Sequence, residues 1–246
     1  LRLAPSAQGI FEKLWLGGVT PLIIALGITV FGYWNAHSPV LKSYQFELSK
    51  DLGGLDRLSI VMLADTHLGT VVHEDDLPRL VADVNAQAPD IIALCGDIFE
   101  ESTGEALRLA AIEAFRGFEA RYGVYYITGN HDSLVSEAEA RLFEASGVTV
   151  LEDSYMLVDG RFYIAGRQDG GHTGWDGRVS AAEVLADADL TLPVILLDHR
   201  PGAYAENGAA GADLQLSGHT HKGQLWPFGI FSGMANGINY GHVAVD

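Results

Sequence analysis

Asp, Asn and His residues recur in this chain just after short apolar runs. They form the groups Asp65-Thr66-His67, Gly96-Asp97, Gly129-Asn130-His131-Asp132, the lone His199, and Gly218-His219-Thr220-His221. Carboxylate, amide and imidazole donors of this kind suit Mn, Fe, Zn or Mg more than copper or iron–sulfur chemistry. Glycines stand immediately before Asp97, Asn130 and His219, where the missing side chain permits a sharp turn and close backbone approach to a metal or an anion. Taken singly, each of these polar residues reads as an ordinary turn or cap residue. Taken together, at five run ends, they read as one metal centre.

The elements that must position them follow from the apolar pattern. Residues 58–64, 91–95, 124–128, 162–165, 194–197 and 214–216 are short apolar runs and predict buried strands. Residues 74–87, 105–118, 136–146 and 180–187 predict helices between them, so strand and helix alternate in a layered α/β architecture. In open sheets of this class the ligand crevice lies beyond the carboxyl ends of the strands, which is where the polar groups fall. Tyr44, Phe46 and Leu48 alternate with polar neighbours and predict one more, half-buried strand within residues 37–57, ahead of a turn at Gly53-Gly54. Residues 241–245 predict a last strand, at which the sequence stops.

The chain has 246 residues, enough for one large domain or a domain with an appendage; 48% hydrophobic and 19% charged residues indicate a folded chain. Its net charge is -17, and Arg2, Glu12 and Lys13 give residues 1–41 a net +1, so the remainder carries -18. Such a body repels polyanions, so no nucleic-acid partner is expected, and an anionic substrate needs local positive charge that bound metal could supply. Cys95 is the only cysteine, which excludes a disulfide or a thiolate zinc cluster within the chain. It reads as a core thiol completing a buried strand.

Residues 14–41 contain no Asp, Glu, Lys or Arg, and 14–34 form a 21-residue apolar stretch flanked by Trp15, Tyr33 and Trp34. That length crosses a bilayer core, which needs about 20 residues in a helix. A membrane span is the expectation, with an apolar helix packed on the domain or a signal-peptide core as alternatives. The domain division is therefore 1–41, membrane-associated, and 42–246, a globular domain expected to be truncated at its C-terminus. Arg2 and Lys13 precede the stretch and Lys42 follows it, which leans towards a globular part outside the cytoplasm. With Leu rather than Met first, the sequence is expected to lack its natural start.

In order and spacing, Asp65-Thr66-His67, Gly96-Asp97-Ile98-Phe99-Glu100, Gly129-Asn130-His131-Asp132, His199 and Gly218-His219-Thr220-His221 resemble the signature of the calcineurin-like metallophosphoesterases. The resemblance covers roughly residues 55–225. The apolar N-terminal segment and the run from Leu216 to Pro227 further resemble the membrane-associated branch that includes YkuE-like and YaeI-like proteins. The resemblance implies a four-layer α/β/β/α sandwich and two divalent ions, with Mn, Fe or Zn ahead of Mg. Asp65, His67 and His221 would hold one ion, Asn130, His199 and His219 the other, and Asp97 would bridge them. It implies hydrolysis of a phosphoester or pyrophosphate by a hydroxide shared between the metals. The substrate would be a phospholipid or a nucleotide-linked lipid precursor; the alternative is a broad phosphodiesterase acting on soluble substrates. His131 would protonate the leaving group or stabilise its charge. Glu100 stands where many members have an Asp that orients this histidine, and Lys222 stands where the branch usually has Gly.

Other polar residues carry two readings. Arg200, Lys222 and His172 could contact a substrate phosphate, and Arg167 and Asp169 flank the same Gly-rich loop as His172; each could instead be a local structural residue. Asp132 could support the centre from behind or cap the following helix. His37, His73 and His242 read as local residues.

Overall fold

The computed structural model describes residues 5–69, 72–132, 137–170, 177–224 and 227–245. The chain divides into two compact units, Leu1–Phe46 and Glu47–Asp246. In the first, helix α1 (Pro5–Leu16) is followed by α2 (Val19–Ala36), with Gly18 in the left-handed region between them. Helix α2 spans about 27 Å at 1.5 Å per residue. None of its residues is buried, and it is long and apolar enough to cross a membrane. Pro21 is tolerated because it falls in the first turn, where a backbone N–H has no intrahelical partner. The apolar stretch is thus broken at Gly17-Gly18, and Leu14–Leu16 belong to α1.

The second unit holds two four-stranded sheets. Strands β1 (Ile60–Leu63), β2 (Ile91–Cys95), β3 (Val124–Ile127) and β4 (Val148–Val150) form a parallel sheet in that order. Strands β5 (Ser154–Val158), β6 (Phe162–Arg167), β7 (Val194–Asp198) and β8 (Leu214–Leu216) form the other, with only the β5–β6 pair antiparallel. The two-residue period of a strand sorts each side chain to a layer. Ile91, Ala93 and Cys95 face a core shared with Ile164, Ile195 and Leu197, between the sheets. Ile92 and Leu94 face the opposite way, onto helices α3 (Leu77–Asn85), α4 (Glu105–Phe115) and α5 (Glu137–Ala145). Tyr163, Ala165, Val194 and Leu196 cover the outer face of the second sheet with α6 (Ala181–Val184). The result is a four-layer α/β/β/α sandwich. Helices α7 (Tyr204–Ala209) and α8 (Phe228–Asn236) complete the described elements.

Two expected strands do not form. Residues 38–57 join no ladder; instead Leu52 and Leu55 plug the core between the sheets, and Lys50 is held by Asp213 at 2.7 Å. Their apolar side chains reach the core from irregular backbone, so alternation there does not signal pairing. Residues 242–245 also join no ladder, and Val243 and Val245 are half exposed. The expected helix 74–87 is a 3-10 turn at Glu74–Asp76 followed by α3, with Pro78 in its first turn.

Candidate metal centre

All five polar groups sit at the carboxyl ends of parallel strands. Asp65 and His67 follow β1, Asp97 follows β2, Asn130 and His131 follow β3, His199 follows β7, and His219 and His221 follow β8. The first three turns belong to one sheet and the last two to the other, so the side chains meet where the sheet edges face each other. The turn after β1 runs alongside the turn after β2, with N–H groups of Asp65, His67 and Leu68 donating to carbonyls of Gly96, Asp97 and Ile98.

Asp65, His67, Asp97 and His221 gather their ligand atoms within 4.8 Å of one another, and Asp97, His199 and His219 do the same. Asp97 belongs to both groups. His67 Nε2 and His221 Nε2 approach to 3.0 Å, and Asn130 Oδ1 lies 2.7 Å from His219 Nδ1. His199 is fully buried; its Nδ1 engages the Cys95 carbonyl at 2.9 Å. Its Nε2 faces Asp97 Oδ2 at 3.1 Å without an aligned hydrogen bond. An imidazole fixed through one nitrogen, with the other buried and aimed at a carboxylate, fits a divalent cation. The hard and borderline donor set fits the same ion.

The backbone is bent to achieve this. Asp65, His67, Asp97, His219 and His221 all have positive φ, between 43° and 73°. A non-glycine residue there costs roughly 1–2 kcal/mol, and such residues cluster at functional sites. Close approach does the rest. A Cβ on Gly129 would lie 2.2 Å from Asp97 Oδ1, and one on Gly218 would lie 2.6 Å from Asp65 Oδ2. The glycines next to the ligands are therefore the room into which the carboxylates fit.

Charge follows from burial and pairing. Burial works against ionisation of Asp97, but His199 and the His131 N–H, which donates to Asp97 Oδ1 at 2.8 Å, hold its carboxyl well below the usual range. Burial would likewise lower His199, yet the Asp97 carboxylate raises it to about 9. Burial and the neighbouring His199 push His219 down.

His131 Nδ1 lies 3.2 Å from Glu100 Oε2, and the other oxygen of Glu100 lies 2.5 Å from His67 Nδ1. One carboxylate thus lies against both His131 and the candidate ligand His67, a proximity the sequence did not indicate. Asp132 is buried and supports the turns around the centre from behind. It accepts from the N–H groups of Asp97 (2.6 Å), Gly129 (3.1 Å) and Ile98 (3.0 Å), and from the Tyr126 hydroxyl (2.7 Å). It clamps the turns after β2 and β3 together. Burial lifts its carboxyl to about 6 against the pull of the Tyr126 hydroxyl.

The residues considered for substrate contact fare differently. Arg200 is buried beside His199 and grips Asp169 through Nε and Nη2, at 2.7 and 2.9 Å. Arg167 donates to the buried Asp198 at 2.7 Å, as does Arg178, so this cluster anchors the end of β7. Lys222 is exposed, with Nζ 4.5 Å from the ring centroid of Tyr240. His172 lies outside the described residues. Cys95 is fully buried and its thiol is pushed up by burial, as a core residue should be. His37 ends α2 and His73 caps the 3-10 turn, both local roles.

Residues 58–223 match the calcineurin-like phosphoesterase family. Danio rerio has a relative named transmembrane protein with metallophosphoesterase domain, 32% identical over 94% of this chain and 54% of its own. An uncharacterized metallophosphoesterase of Campylobacter jejuni is 32% identical over 83% of this chain and 54% of its own. The uncharacterized metallophosphoesterase YkuE of Bacillus subtilis is 33% identical over 89% of this chain and 76% of its own. The chain spans about half the length of the first two. The match over the whole span of the strand-end motifs shows that this chain belongs to the calcineurin-like metallophosphoesterase family, a group of hydrolases.

Proposed function

We propose that the chain is a membrane-associated hydrolase of phosphoesters or pyrophosphates built on two divalent ions. Asp65, His67 and His221 would hold one ion, Asn130, His199 and His219 the other, with Asp97 between them. The observation that carries this reading is the membership of Asp97 in both ligand groups. The mix of imidazole, carboxylate and amide donors favours Mn, Fe or Zn over Mg. When bound, such ions polarise a phosphoryl group and lower the pKa of water, which removes the need for a protein base.

The residues of the chain set the geometry. The Cys95 carbonyl fixes the His199 ring, and the His219 N–H holds Asp65 at 2.9 Å. His131, with Nδ1 on Glu100, works through Nε2, holding a proton for the leaving-group oxygen. Asp97 takes the His131 backbone N–H, so the acid and the ligand are placed by one turn. Lys222, next to His221, offers an exposed positive charge for an anionic headgroup, while Arg200, bonded to Asp169, stiffens the His199 turn.

A phosphorylated amphiphile, either a phospholipid or a nucleotide-linked lipid precursor, is the preferred substrate class. The bilayer-length helix α2 supports that choice. The positive charges ahead of it favour a hydrolase unit outside the cytoplasm. The test is elemental analysis of the purified full chain, with hydrolysis of a chromogenic phosphodiester in added Mn, Fe, Zn or Mg. About two metals per chain and metal-dependent turnover are expected. Lipid-linked substrates should then outperform soluble diesters and single-stranded DNA. One metal or none, with no turnover under any metal, would overturn the binuclear reading, and equal turnover of soluble diesters would overturn the amphiphile preference.

A further inference from the structure

Helix α8 is built inside out. Its sequence from Phe228 to Asn236 contains no charged residue. At about 100° per residue, Phe228, Ile230, Phe231 and Met234 fall within one arc of about 160°. All four are exposed, by 59%, 58%, 62% and 79%. The opposite arc carries Gly229, Ser232, Gly233 and Asn236, and it is this small, polar face that turns inward. Asn239 donates to the Gly229 carbonyl at 2.6 Å, and a Cβ on Gly229 would lie 2.9 Å from the Lys222 carbonyl. A surface helix normally buries its apolar stripe and exposes its polar one.

This helix is fastened to the ligand loop. A Cβ on Gly223 would lie 2.2 Å from the Gly229 nitrogen, and Thr220 Oγ1 donates to the Asn239 carbonyl at 2.7 Å. A concavity lined by His221, Gln224 and Phe228 joins the two. The helix that carries the apolar face is therefore packed directly against the loop of a candidate metal ligand.

We propose that α8 docks on a phospholipid bilayer, its exposed arc entering the headgroup–acyl boundary, so that the metal centre opens at the membrane surface. Four observations choose lipid over another occupant. The same chain carries the 18-residue apolar helix α2, with none of its residues buried, and a span of that kind holds the rest of the chain at high effective concentration near lipid. The patch offers a protein partner no charge to pair with. A second copy would bring another unit of large negative charge against the first. Lys222 over Tyr240 beside the patch matches the pairing of cationic and aromatic side chains found at headgroup depth. Because the unit is acidic, docking must come from apolar insertion and be insensitive to salt. The inference rests on the exposed face of α8 together with the apolar helix α2, and holds whether or not the centre hydrolyses an amphiphile.

The full chain, reconstituted in phosphatidylcholine vesicles, tests it. An environment-sensitive fluorophore is placed through Met234→Cys, and in a second protein through Leu109→Cys on α4; the buried Cys95 is shielded from labelling. With a spin label on shallow acyl carbons of the lipid, the emission at 234 should be blue-shifted and quenched at both low and high salt. The emission at 109 should be neither. Adding Phe231→Ser should weaken quenching at 234 while metal content stays unchanged. Equal, weak quenching at both sites would overturn the proposal. So would a blue shift at 234 that grows with protein concentration and ignores the spin label, which would assign α8 to a second copy of the chain.

Discussion

Replacing Asp132 by Asn isolates the clamp behind the centre, because shape is kept and only the pattern of acceptors changes. One oxygen of Asp132 accepts from Asp97 and Gly129, the other from Ile98 and Tyr126. An amide group on the first side would orphan two buried backbone N–H groups. On the second side it would orphan only that of Ile98, since the Tyr126 hydroxyl can turn and accept. The second orientation wins, and its cost is that of one unsatisfied buried donor, about 1–3 kcal/mol. For a unit of this size the thermal midpoint should fall by about 2–4 °C per kcal/mol, hence by roughly 4–8 °C for a cost near the middle of that range. Asp132→Ala orphans three backbone donors and should lose at least about 3 kcal/mol. The Asp97 N–H is among the donors, so metal content must fall together with stability in both variants. Circular dichroism melting and elemental analysis on the same preparations read both quantities. An Asn variant with the parent midpoint would refute the accounting, and a lower midpoint with full metal content would refute the clamp as the device that places Asp97.

Asp97→Asn should reduce metal content and phosphodiester turnover together, because one residue serves both ligand groups; full metal content in the variant would contradict this. His131→Ala should keep its metals and slow hydrolysis most for substrates with poor leaving groups, read from rates across a series of aryl phosphodiesters; equal slowing throughout would count against an acid role. Gly129→Ala forces a methyl group against Asp97 Oδ1 and should cost about 1–3 kcal/mol with loss of metal. Gly208→Ala, in α7 with only an ordinary 3.9 Å contact to Val245, should raise stability by about 0.4–1 kcal/mol and leave metal content alone; melting curves compare the two glycine variants. Chelation should lower the thermal midpoint by an amount that grows with the metal concentration removed, since binding stabilises the folded state by mass action. A midpoint indifferent to chelator would mean that no ion is held.

Strand positions were legible where burial on both faces leaves an unbroken apolar run: β2, buried throughout, spans the residues the sequence indicates. Strands β4 and β5 escaped because they lack that signal; β4 has three residues, and Met156 and Leu157 in β5 are exposed. The false strand around Tyr44 and Phe46 shows the converse, since alternation describes a half-buried segment but not whether a neighbour will pair with it. The candidate ligands were legible by type and place, because Asp, Asn and His at five strand ends are hard to explain as five separate caps. Their supports were not. Asp132 reads equally well as a cap until its donors are seen to include residues 34 and 35 positions away. Arg200 looks like a phosphate contact until Asp169, 31 positions away, is found against it. Side chains that act by holding others leave no local pattern, because their partners are chosen by the fold.

The centre thus has a rigid floor and an open rim, and the two ask different things of the sequence. On the floor, five candidate ligands with positive φ would cost on the order of 5–10 kcal/mol if left to themselves, comparable to the stability of a whole domain. Such strain persists only where the surroundings fix every alternative, and here the glycines leave no space and Asp132 leaves no unpaired donor. The rim carries the looser parts: His131 partly open on Glu100, Lys222 over Tyr240, and α8 with its apolar face outward. Precision in the floor would let the rim vary without disturbing the candidate ligands. A change in what the protein acts on would therefore be expected from residues 222–240 sooner than from any of the seven candidate ligands.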